Sequence, residues 1–118
     1  MISRFNVIYS PEAKDDLRSI ASYILFELKA PQAAQNVTTR IRSEIRSLEE
    51  MPERYPIVEW EPWASMRMHK VPVGKYVVFY TVDSDSSVVS IIRIFYGGRN
   101  IEGIIQGNES DNNLKSAP

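Results

Sequence analysis

The sequence predicts an α+β domain in which a helical hairpin packs on one face of a small, mainly antiparallel sheet, in the order β-α-α-β-β-β. Three observations predict it. Apolar residues recur at three- and four-residue steps in two consecutive stretches between Ala13 and Leu48, the spacing of one helix face. A proline-rich segment from Met51 to Ser65 then breaks that period. Beyond it, β-branched and aromatic residues fill three short runs separated by Gly- and Ser-containing turns, the composition of strands.

Taken in order, Phe5, Val7 and Tyr9 alternate with Arg4, Asn6 and Ile8, so Arg4 to Tyr9 reads as a first strand. Ser10-Pro11-Glu12 starts a helix: serine caps free amides, proline fits the first helical position, and Glu12, Asp15 and Asp16 suit the positive end of the dipole. Ala13, Leu17, Ile20, Ala21, Ile24 and Leu28 make its apolar face. Ala30-Pro31 restarts the pattern, and Ala34, Val37, Ile41, Ile45 and Leu48 form a second face that ends before Pro52. So short a link makes the two helices an antiparallel hairpin. Met51 to Ser65, with Pro52, Pro56, Pro62, Tyr55, Trp60 and Trp63, is expected to be a loop with short turns. Met66 to Val71 is expected as a strand, Pro72 to Lys75 as a turn, Tyr76 to Val82 as a strand, Asp83 to Ser87 as a polar turn and Val88 to Tyr96 as the last strand, ended by Gly97-Gly98. Residues 1–106 are thus expected to be a single domain, and 107–118 a disordered polar tail.

Composition narrows the function. The 118 residues suit one domain, and 43% apolar with 25% charged residues is the balance of a globular protein. No apolar run approaches the roughly 18 residues that span a bilayer, and Met1 to Phe5 lack the basic-then-apolar start of a signal peptide. A cytoplasmic protein with no membrane partner is the expectation. Without cysteine there is no disulfide, thiolate metal site or cysteine nucleophile, and one histidine cannot build a histidine-rich zinc site. No metal and no cofactor are therefore expected. A net charge of −1 argues against a generally basic nucleic-acid binder. From Pro11 to Glu61, seven Lys/Arg stand against ten Asp/Glu, giving −3, and from Pro62 to Ile101 five stand against two, giving +3. That asymmetry points either to an anion-facing second half or to a solvated strand surface.

Phosphate loops, dinucleotide fingerprints, HExxH and GxSxG are absent. What remains is a polar group on the C-terminal strands: Arg67, His69, Lys70, Arg93, Tyr96 and Arg99. Strand alternation puts Arg67 and His69 on one side and Lys70 on the other, and sets Arg93 and Tyr96 on opposite faces. His69 reads either as a general acid–base or as a partly exposed strand residue bonded to a neighbour. Arg93, inside Ile91-Ile92-Arg93-Ile94-Phe95, needs a partner because a lone buried charge is very costly; a helix carboxylate such as Glu44 is the expected one. Trp60 and Trp63 read equally as an exposed partner anchor or as a lid over the core.

Several segments together resemble the RelE/ParE superfamily of toxins from bacterial type II toxin–antitoxin operons. They are Tyr9-Ser10-Pro11-Glu12-Ala13-Lys14-Asp15-Asp16-Leu17 with Ile20 and Tyr23-Ile24, Leu48 with Pro52, Val71 to Tyr80, and Val89 to Ile101. The likeness covers roughly residues 3–105. It implies the same element order and a growth-inhibiting toxin neutralised by a cognate antitoxin, meeting operator DNA only through that antitoxin. RelE-like members cut mRNA on the ribosome, chemistry that needs convergent acid, base and cationic groups. The arginine that such members carry at the start of the second C-terminal strand falls on Val77, and their C-terminal tyrosine falls near Ile105. Lys70 and Arg99 match basic positions of that site, and Tyr96 lies where some members place a tyrosine. ParE-like members, which inhibit DNA gyrase, share the Ser-Pro-Glu-Ala-x-x-Asp-Leu start, the long hairpin and the Gly-x-Arg-Asn end. The resemblance thus implies ParE-type inhibition of gyrase, with a RelE-type ribosome-dependent mRNA endonuclease, or an inactive member kept for operon autoregulation, as the alternatives. The site residues it implies are Arg67, Lys70, Arg99, Trp60 and Trp63 for target or partner contact, and Lys70, Arg99, Tyr96 and His69 if the chain is a ribonuclease.

Overall fold

A computed structural model describes residues 4–107, so the expectation of a disordered tail lies, beyond Gly107, outside the described residues. Strand β1 (Asn6–Tyr9) leads into helix α1 (Pro11–Ser22) through Ser10, whose extended backbone and Oγ cap the Ala13 amide at 2.9 Å. Ser10 also ties the helix start to the sheet: its amide donates to Ile91 O at 2.9 Å and its hydroxyl to Ile92 O at 2.8 Å. One residue therefore both starts the helix and fixes where it sits.

Ala13, Leu17, Ile20 and Ile24 are buried, as their spacing requires. Leu28 departs from that face and is 46% exposed. The cause is a π-helical turn over Tyr23–Glu27, closed by the bond from the Leu28 amide to Tyr23 O. One extra residue per turn rotates everything after it by about 100°. Leu25 and Phe26 come to the surface with it. Lys29 reverses the chain at φ 53, and α2 (Pro31–Ser47) returns along α1 with Ala34, Ile41 and Ile45 buried, followed by buried Leu48.

The sheet has the order β1-β4-β3-β2, with β1 parallel to β4 and the other pairs antiparallel. Strand β2 is His69–Val73, β3 is Tyr76–Asp83 and β4 is Val88–Tyr96. Two boundaries differ from expectation. Pro72 belongs to the strand and not to the turn, because β2 is an edge strand where a missing N–H costs no ladder bond. The turn shrinks to Gly74-Lys75, with Gly74 at φ 61. At the other end, Met66 and Arg67 precede the strand in a turn, and Arg67 has φ 55. Arg67 and His69 are thus not two positions of one strand, and alternation does not bring them to one side.

In β4 the pairing jumps from Phe79↔Arg93 to Tyr80↔Ile91, leaving Ile92 as an extra residue. On one face of the sheet Val71, Val73, Tyr76, Val78, Tyr80, Val89, Ile91 and Ile94 meet the hairpin. The other face is covered too: Phe79 and Phe95 pack with Val58, Trp63 and Met68, with Ile101, Ile104 and Ile105 against them. Those isoleucines belong to a short helix α3 (Ile101–Ile105), absent from the expected elements, whose first turn is capped by Asn100 Oδ1 on the Gly103 amide at 3.2 Å. Five residues are too few to show a period in sequence. Among the described residues no helix is long and apolar enough to cross a membrane.

Burial raises the phenols of Tyr9, Tyr76 and Tyr80 above their ordinary value near 10. The folded chain therefore keeps protons that the unfolded chain releases from about pH 10, and stability falls as pH rises through and beyond that value. Melting temperature measured from pH 8 to 11 should drop above pH 10, and Tyr80→Phe should flatten the drop while lowering stability at pH 8, since the Tyr80 hydroxyl donates to Pro52 O at 2.7 Å.

Candidate functional site

The best-connected polar group lies where β1 stops. Strand β1 pairs with β4 only as far as Tyr9↔Ile91, so the next stretch of β4, paired with β3 on one side, has no strand on the other. Helix α1 closes that edge. Asp16, 4% exposed, accepts the Ile94 amide at 2.9 Å and both arms of the Arg93 guanidinium, Nε at 2.7 Å and Nη2 at 3.0 Å. The bulge at Ile92 puts Arg93 on the sheet face of Phe79 and Phe95, away from the hairpin, so its guanidinium reaches Asp16 around the open β4 edge and lies 4.4 Å from the Phe95 ring centre. Asp16 rather than Glu44 is thus the partner of Arg93. Glu44 instead accepts the Tyr55 hydroxyl at 2.6 Å. This two-point carboxylate–guanidinium pair is structural: it replaces a strand with a side chain.

The residues singled out from sequence do not gather. His69, 4% exposed, donates from Nδ1 to Tyr55 O at 2.7 Å and stacks on Tyr80 with ring centres 5.1 Å apart. A carbonyl can only accept, so the proton sits on Nδ1. Lys70 is exposed on the opposite side of β2, beside Phe79 in the pairing. Tyr96 is half-buried at the far end of β4, edge-on to Tyr76 at 6.0 Å. Gly98 makes room for it, since a Cβ there would lie 2.5 Å from the Tyr96 ring. His69 pairs with Tyr80 and Tyr96 with Tyr76, four positions along β3, or about 13 Å. Arg99, 8% exposed, rests over Phe95 at 5.5 Å from the ring centre, so it is not the freely aimed loop cation that the glycines suggested. Arg67 is exposed.

Of the two tryptophans, Trp63 is the lid: it is 5% exposed and lies 4.8 Å from Phe79. Trp60 stacks on Trp63 at 5.1 Å and stays half-exposed, so it alone keeps a surface to offer. Val77 lies in the same covered face, between Pro72 and Phe95 in the pairing.

Sequence reasoning missed a cleft of about 470 Å³ between α1 and α2, lined by Tyr9, Lys14, Leu17, Arg18, Ala21, Thr38 and Arg42. Lys14 and Arg18, like Arg42 and Arg46, are four residues apart and therefore share a helix side. Summing charge over half the chain hid them, because this is the half that totals −3. Burial raises the Tyr9 phenol, and the positive charges of Arg42 and Arg46 pull it partly back. Among the described residues no three His, Asp or Glu side chains gather to hold a metal ion.

A family model described as the ParE toxin of the type II toxin–antitoxin system parDE matches residues 7–101. No curated protein matches the chain. Among solved structures, the chain is similar to one from the chromosomal ParDE toxin–antitoxin system of P. aeruginosa, with a TM-score of 0.64 and 15% identity over 78% of this chain and 95% of that one. It is similar also to a chain of the RelBE2 toxin–antitoxin complex of Mycobacterium tuberculosis, with a TM-score of 0.56 and 18% identity over 79% and 91% of the two chains. At such identities the structural likeness speaks for the fold.

Proposed function

The chain belongs to the ParE toxin family of type II toxin–antitoxin systems, and on that premise we propose that it arrests growth by binding DNA gyrase, with no hydrolytic step of its own, and that a cognate antitoxin neutralises it. Its place of action on this reading is the cytoplasm, and it reaches operator DNA only through the antitoxin. The observation that carries the reading is the dispersal of the ribonuclease candidates. Attack by a ribose 2′-hydroxyl needs a base, an acid and a cation around one phosphate. His69 and Tyr96 face the hairpin at opposite ends of the sheet, Lys70 faces away, and Val77 has no hydrogen bond to give. The target contact is assigned to the exposed cations Arg67 and Lys70 and to half-exposed Trp60, with buried Trp63, stacked on Trp60, and buried Arg99, over Phe95, as the further members of the set.

Inducing the chain without its antitoxin tests this in cells. The expected phenotype is DNA damage with filamentation while translation continues. His69→Asn, which keeps a donor for Tyr55 O, should retain that toxicity, because no proton transfer is asked of the residue. Immediate translation arrest, relieved by His69→Asn, would overturn the reading in favour of mRNA cleavage.

A further inference from the structure

We propose that a separate, smaller pocket, between α2 and the Gly74-Lys75 turn, binds a small organic acid: one carboxylate on a short apolar body. The assignment goes beyond the toxin reading and does not depend on it. The pocket has a volume of about 230 Å³. Its floor is apolar, with Ile41, Val73 and Tyr76 buried and Val37 half-buried beside them. Arg40, Gly74 and Lys75 complete the lining, which thus holds two cations and no acid. Neither cation is used by the fold. Arg4, Arg18 and Arg93 each meet a carboxylate, whereas among the described residues Arg40 and Lys75 have no ion pair. Glu44, one turn along α2 from Arg40, is engaged by the Tyr55 hydroxyl. Arg40 also lies close to the turn, its Nη1 3.1 Å from where a Cβ on Gly74 would stand. The absence of a side chain at Gly74 is what lets the guanidinium close on it.

Size and lining select the ligand. The volume is below the ~300–1,000 Å³ of pockets that take drug-sized molecules, which leaves out a nucleotide. Two positive charges call for an anion, and the planar guanidinium of Arg40 offers a carboxylate two parallel donors. A bare inorganic anion would leave the apolar floor wet, and a neutral apolar molecule would gain nothing from the cations. A carboxylate on a short chain or ring satisfies both. Bound there, it ties α2 to the β2–β3 turn and so favours the folded state.

The test uses the full chain with hexanoate as the probe, followed by methyl NMR of Val37, Ile41 and Val73 and by melting temperature. Saturable shifts at those methyls are expected, with a Kd of about 0.1–1 mM. Melting temperature should rise by about 5 °C at roughly ten times Kd. Arg40→Gln with Lys75→Gln should weaken binding about 10–100-fold, and Lys14→Gln, outside the pocket, should leave it unchanged. Hexanol and hexylammonium, which keep the apolar body, and inorganic phosphate, which keeps only the charge, should each bind at least about 10-fold more weakly than hexanoate. Circular dichroism checks folding, and the single variants serve if the double one is unfolded. Undiminished affinity of the folded variants, or no methyl shift at about 10 mM hexanoate, would overturn the assignment. Equal binding of hexanol, hexylammonium or phosphate would overturn it too. N-acetyl-leucine, which imitates the end of a peptide, binding about 10-fold more tightly than hexanoate would overturn the small-acid assignment in favour of a chain terminus.

Discussion

An Asp16→Ala variant will lose about 3–5 kcal/mol of stability, the range found when one partner of a buried ion pair is removed and the other is left behind. The loss has two parts. Arg93, whose side chain is 14% exposed, is left among apolar neighbours without its carboxylate, and the Ile94 amide loses its acceptor. Asp16→Asn separates them, because the amide oxygen can still receive Ile94 N–H while the charge is gone; its cost should be smaller, about 1–3 kcal/mol. Combining Asp16→Asn with Arg93→Met removes the stranded cation and should recover part of that loss. Urea unfolding measures all three, as shifts in midpoint at constant slope. A loss under about 1 kcal/mol for Asp16→Ala would mean that the β4 edge is held by Ser10 and the surrounding apolar contacts alone.

Reversing the two exposed cations, Arg67→Glu with Lys70→Glu, should abolish growth arrest while stability changes by no more than about 0.5 kcal/mol. Both side chains are exposed, so the folded state has little to lose. An acidic or phosphate-bearing target surface would meet two repulsive charges in place of two attractive ones, and binding should fall by about 100-fold or more. Arg99→Ala is a different experiment. At 8% exposure over Phe95 it should destabilise the second cluster, so its effect on toxicity must be corrected for the amount of folded protein. Full toxicity of the Arg67, Lys70 pair after reversal would place the target contact elsewhere on the molecule.

The features legible in sequence are those written in local chemistry. Ser10-Pro11 announces the helix start, and the hydroxyl caps where it should. The spacing of Ala34, Ile41, Ile45 and Leu48 marks the buried side of α2. The features that were not legible depend on geometry that a period does not carry. A π-turn at Tyr23 removes Leu28 from a face that its spacing had given it. The bulge at Ile92 reverses the alternation, so Arg93 lies on the Phe79 face and reaches Asp16 over the sheet edge instead of Glu44 within the hairpin face, and a bulge leaves no fixed residue signature. Pro72 looked like a turn because nothing local says that β2 is an edge. The candidate site fared worst. His69 and Arg99 have the composition of a reactive centre, yet tertiary packing buries both against Tyr80 and Phe95 respectively. The cations of the α1–α2 cleft escaped notice because they come from two segments distant in sequence, inside a half whose sum is acidic.

The central claim is that this toxin acts on gyrase by binding, and it is tested most directly with purified protein in two parallel reactions. One follows supercoiling of relaxed plasmid by gyrase, and the other follows the integrity of mRNA on programmed ribosomes. Inhibition of supercoiling at stoichiometric toxin, with the mRNA left intact, is the predicted result. Codon-periodic cleavage of ribosome-bound mRNA with supercoiling unaffected, lost when Lys70 or Tyr96 is changed, would contradict it.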